Sequence, residues 1–92
     1  MNTEKEVKVL SMDVMNDSSP LKALCTVQID ELQVRGVRIV QKEGRPLRIA
    51  MPASKRYNPD TTISYIPFIV VTNETLRMEI EKAILKEFER RR

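Results

Sequence analysis

The sequence predicts an α+β fold: an antiparallel β-sheet of about five strands with one C-terminal α-helix packed on one face. Three observations carry this. Leu21, Ala23, Cys25, Val27 and Ile29 alternate with Lys22, Leu24, Thr26, Gln28 and Asp30, the period of a half-buried strand. Leu76, Ile80, Ala83, Ile84 and Phe88 recur at helical spacing and, with Glu87 among them, line one side of a helix. Between these segments, short apolar runs are separated by turn residues. The length of 92 residues predicts one domain spanning 1–92, because chains divide only at greater length. A chain this short buries only roughly 60–65% of its unfolded surface, so a second subunit would add needed cover.

Residues 5–12 read as the first strand, with Val7 and Val9 on one face and Lys8 on the other. Asn16-Asp17-Ser18-Ser19-Pro20 is a turn cluster. The second strand follows from Leu21 and places Cys25 among apolar partners, where a thiol is inert. The third strand, at about 32–41, changes phase: Leu32 and Val34 share one face, as do Val37 and Ile39, yet Val34 to Val37 is an odd step. One residue has to be absorbed, and Arg35-Gly36 is the place for a bulge.

Lys42-Glu43-Gly44 predicts a three-residue hairpin loop with Gly44 left-handed. Counted outward from that loop, Gln41 faces Arg45, Ile39 faces Leu47, Arg38 faces Arg48, Val37 faces Ile49 and Val34 faces Met51. The fourth strand thus puts Leu47, Ile49 and Met51 inward. Arg38 opposite Arg48 costs a few tenths to about 1 kcal/mol, relieved by an anion over the pair or by water and salt. Pro52 to Thr62 reads as a loop, with Tyr57-Asn58-Pro59-Asp60 as its turn. A fifth strand runs from about Ile63 to Val71, and Pro67 marks it as an edge or a break. Thr72 or Asn73 caps a helix beginning near Glu74. Glu74 in the first turn and Arg90-Arg91-Arg92 in the last suit the helix dipole.

The formal charge of +3 is unevenly spread. Residues 1–34 carry Lys5, Lys8 and Lys22 against six acids. Residues 35–56 carry Arg35, Arg38, Lys42, Arg45, Arg48, Lys55 and Arg56 against Glu43 alone. Residues 57–92 balance, six bases to six acids. Such a block points to a polyanionic partner or to a solvated basic hairpin.

Composition excludes much chemistry. With no His, Ser-His-Asp and Cys-His devices and imidazole metal sites are absent. One Cys precludes an internal disulfide and Cys-rich zinc motifs. Two Gly cannot build a glycine-rich phosphate loop. The expectation is a protein that is not an enzyme, with no catalytic residues, cofactor or metal. The charged start and the absence of an apolar run of roughly 18–20 residues predict neither a secretory signal nor a membrane span. With a free Cys, that predicts a cytoplasmic protein.

Val37-Arg38-Ile39-Val40, Ile49-Ala50-Met51-Pro52-Ala53-Ser54-Lys55-Arg56 and Ala83-Ile84-Leu85-Lys86-Glu87-Phe88 resemble the SpoVG family of small bacterial proteins linked to septation during sporulation. Met51-Pro52 followed closely by Ser54-Lys55-Arg56 is the most specific piece, and the resemblance spans roughly 5–90. It implies a twisted antiparallel sheet with a C-terminal helix, a homodimer, and a site-selective DNA- and RNA-binding regulator. Basic residues early in the helix are tied to nucleic-acid binding in the family, and Arg77 matches the Arg there. The family's Lys two residues later is Glu79 here, and its His-Pro in the last strand is Ile66-Pro67.

Two functions follow as expectations. The first is a nucleic-acid-binding regulator (DNA or RNA), with Arg38, Arg48, Lys55, Arg56 and Arg77 as phosphate contacts. Tyr57 either stacks on an exposed base or packs on the sheet edge. The second is a protein-interaction module of the division machinery that pairs through an exposed edge strand.

Overall fold

In the computed structural model, which describes residues 6–92, the fold is organised around β2 (Leu21–Ile29). Its inward residues Ala23, Cys25, Val27 and Ile29 are all buried. β1 (Val7–Val14) and β3 (Leu32–Val40) pair with β2 on either side, both antiparallel, and β4 (Arg48–Ala50) extends the sheet beyond β3 in the order β1-β2-β3-β4. The ladders set Val9 opposite Val27, Met12 opposite Cys25, Val34 opposite Val27 and Ile39 opposite Ile49, so apolar side chains meet across every pair. The register shifts at three places, between Leu21 and Ala23 where β2 starts and at two further points that preserve that match. Leu10 is an extra residue in β1, so burial passes from Val9 to Met12 while Leu10 turns outward. In β3 the partners step from Cys25–Val37 to Val27–Val34, leaving Arg35-Gly36 as the expected bulge, with Gly36 at φ +80°.

α1 (Glu74–Arg91) closes the core by burying Ile80, Ile84 and Phe88 against the sheet. Its start is fixed by Asn73, whose Oδ1 accepts from the Leu76 amide at 2.9 Å. At the other end Glu87 binds Arg90 and Arg91, and Arg91 Nη1 donates to the Met12 carbonyl of β1 at 3.1 Å. That contact ties the last helical turn to the first strand. Cys25 is buried in the core, and burial pushes its thiol up to about 11, which keeps it protonated and inert.

Three sequence expectations are corrected. The first strand is Val7–Val14, displaced from the expected 5–12, and Lys5 lies outside the described residues. The hairpin register is the second. Arg38 lies opposite Ala50 and Val40 opposite Arg48, a shift of two that removes the Arg38–Arg48 pair while keeping Ile39 and Ile49 inward. The Gln41 amide is drawn to the Pro20 carbonyl at 2.8 Å, and Pro46 has no N–H for a ladder. The connection therefore grows to residues 41–47. Within it the Arg45 amide bonds the Lys42 carbonyl at 2.9 Å, and Gly44 is left-handed as expected, at φ +76°.

The third correction concerns residues 52–71. Where part of a loop was expected the chain forms β5 (Ala53–Tyr57), and the expected strand from Ile63 is present as β6 (Ile63–Pro67) but stops at Pro67 short of Val71; the two make a separate two-stranded antiparallel sheet. The α+β class with a C-terminal helix on an antiparallel sheet is as expected, and among the described residues the strands number six, in sheets of four and two. The hairpin turns at Asn58–Thr62 through two backbone bonds, and Asp60 accepts from the Thr62 amide and hydroxyl. Pro67 ends β6, as a residue without an N–H should. No helix among the described residues is long and apolar enough to cross a membrane.

Candidate nucleic-acid interface

The basic block of residues 35–56 runs from β3 through the long connection and β4 to β5. None of its seven cations forms an ion pair with a described carboxylate. Among the described residues the ion pairs lie instead between Lys8 and Glu6 and along the helix. Lys42, Arg45, Arg48, Lys55 and Arg56 are exposed. Charges left this way repel one another and favour an anion nearby.

The five residues singled out from the sequence fall into different situations. Arg38 is half-buried on β3 and directs Nη2 to the Met51 carbonyl at 3.4 Å, across the junction where β4 ends. Arg48 is exposed on β4. Lys55 and Arg56 are exposed on β5 and point to opposite faces of the small hairpin, with Tyr65 and Ser64 as their cross-strand partners. Arg77 stands in the first turn of α1, where it is held by Glu74 at 3.3 Å and Glu81 at 3.5 Å. Its charge is therefore largely answered within the helix, unlike that of Arg48, Lys55 or Arg56.

Folding brings two of these together. Arg48 and Arg77, distant in sequence, line one groove of about 400 Å³ between β4 and α1, with Ile49, Met51 and Ile80 also in its lining and Glu81 beside Arg77. A second cleft, of about 360 Å³, is lined by Lys42, Arg45 and Arg48 and backed by Val40, Pro46 and Leu47. Lys42 and Arg45 were not among the expected contacts. Their charge is visible in the sequence, but their convergence with Arg48 comes from the lengthened β3–β4 connection.

Tyr57 is corrected as well. It is 73% exposed on β5, so it does not pack on a sheet edge. Tyr65, at 56% exposed, was missed; its signal was a tyrosine in the segment of the expected fifth strand.

The fold and its charges define a small α+β protein with a run of exposed cations that have no described carboxylate partner along the β3–β4 connection, β4 and β5. The SpoVG family model matches residues 3–90, nearly the whole chain, and the protein belongs to the SpoVG family. Membership supports a role associated with septation and sporulation. Among curated proteins none matches the chain.

Proposed function

We propose that this protein is a nucleic-acid-binding regulator, acting on DNA or RNA in the cytoplasm as a homodimer, and that it works by binding and not by catalysis. The observation that carries the reading is the run of exposed cations within residues 42–56 that have no described carboxylate partner, Lys42, Arg45, Arg48, Lys55 and Arg56. None of the described carboxylates pairs with these cations, so phosphates are a natural counter-charge. Arg48 and Arg77 flank one groove, and Arg38 serves more to brace the end of β4 than to meet a phosphate. The dimer is supported by exposed Ile66, Phe68 and Val70. These apolar side chains sit on a short hairpin and the segment after it, where a second copy would remove them from water.

The same exposed side chains favour a second reading, a protein-interaction module of the division machinery that binds no nucleic acid. A gel-shift series with single-stranded, duplex and RNA probes at two salt concentrations separates the two. Retention that weakens as salt rises supports the regulator. Free probe throughout at low salt, with a dimer intact by sedimentation, refutes it and leaves the interaction module.

A further inference from the structure

The β5–β6 hairpin has an arrangement that the sequence alone did not disclose. Its register pairs Lys55 with Tyr65 and Tyr57 with Ile63. Directly opposed residues share a face, and alternate residues along a strand do too. One face therefore carries Lys55 with Tyr57 two residues along its strand and Tyr65 directly across. Tyr57 is 73% and Tyr65 56% exposed, and Lys55 has no carboxylate partner among the described residues.

We propose that this face is a stacking platform for single-stranded nucleic acid, on which two bases lie on Tyr57 and Tyr65 while Lys55 meets the intervening phosphate. The inference rests on the nucleic-acid reading above and specifies the form of its ligand. Diagonal positions on an antiparallel pair are roughly 7–8 Å apart, whereas bases in a duplex follow one another every ~3.4 Å along each strand. Consecutive duplex bases, already stacked on each other, cannot occupy both rings, but the splayed bases of a single strand can. Every base has a π-face, so such a platform accepts many sequences. The unpaired cation supplies the charge complementarity, and Arg56 on the opposite face leaves a second contact for the strand as it leaves the hairpin.

The chain offers its own probe. It contains two Tyr and no Trp, and both tyrosines stand on this face, so its intrinsic emission reports on the platform alone. The full chain is titrated with a thymidine dodecamer, a duplex of equal length and an abasic sugar–phosphate dodecamer, with binding read independently by anisotropy of labelled strands. The thymidine strand should quench the tyrosine emission and bind more tightly than the duplex or the abasic strand. Tyr65→Ala should lower its affinity about tenfold, whereas Tyr65→Phe, which keeps a ring, should restore it. Equal binding of thymidine and abasic strands with undiminished emission would overturn the platform and leave a phosphate-only regulator. Absence of binding to any strand at low salt would overturn the underlying reading as well. Conversion of a dimer to monomers by Tyr57→Ala/Tyr65→Ala would assign this face to a second copy and also overturn the proposal.

Discussion

Neutralising Lys55 and Arg56 tests the phosphate surface quantitatively. Within residues 42–56 five exposed cations stand without described carboxylate partners, Lys42, Arg45, Arg48, Lys55 and Arg56. If each displaces counterions from a single strand, log affinity falls against log salt with a slope of about −3.5 per protomer. Between 50 and 200 mM salt that is a loss of about 130-fold. The Lys55→Gln/Arg56→Gln variant should have a slope of about −2.1 and lose only about 20-fold over the same range. Both side chains are on the exposed hairpin, outside the core, so the fold should be unaffected. Arg77→Ala provides the contrast. Its guanidinium is already held by Glu74 and Glu81, so its removal should leave the slope nearly unchanged. The assay is anisotropy of a labelled strand at four or more salt concentrations, with circular dichroism as the check on folding. A slope unmoved by the double substitution, or flattened as much by Arg77→Ala, would refute the reasoning that carboxylate pairing decides which cations meet phosphate.

The remaining expectations concern the scaffold. Gly36→Ala should destabilise the protein by about 1–2 kcal/mol in urea unfolding. The penalty is conformational, from φ +80°, since the nearest atom to an added Cβ is Pro52 Cβ at 4.0 Å; an unchanged midpoint would contradict it. Ile84→Ala, at a fully buried helix position, should cost about 2–5 kcal/mol by the same measurement. Against the total stability of 5–15 kcal/mol typical of such domains, that is a large share. Glu87 is held down to about 2 by its hydrogen bonds from Arg90 and Arg91. A carboxylate depressed in the folded state stabilises above its unfolded value of about 4.5 and loses that contribution as pH falls toward about 2. Glu87→Gln should therefore lose less stability than the wild type between pH 5 and 2, and parallel losses would show that the contact to Arg90 and Arg91 does not stabilise the fold.

What the sequence determined by itself is what neighbouring residues decide among themselves. The alternation along β2 specifies its buried face. The odd step from Val34 to Val37 demands an extra residue, and Gly36 can absorb it at positive φ. Gly44 has to be left-handed wherever the hairpin register falls. Asn73 and the stripe through Ile80, Ile84 and Phe88 define a helix start and a face, because capping and periodicity act within a few turns. Tertiary structure decided whatever depends on a partner distant in the chain. The Pro20 carbonyl takes the Gln41 amide, Pro46 offers no N–H to the ladder, and the observed register sets Arg38 opposite Ala50 and Arg48 opposite Val40. Ala53–Tyr57 has no apolar alternation to announce a strand and becomes one because Ile63–Pro67 folds back to satisfy its backbone. That pairing sets Tyr65 beside Lys55. The groove shared by Arg48 and Arg77 likewise exists only because the helix docks across the sheet. A strand's pairing partner is settled by hydrogen bonds and burial summed over the whole chain, and a local pattern of residue types carries no record of that sum.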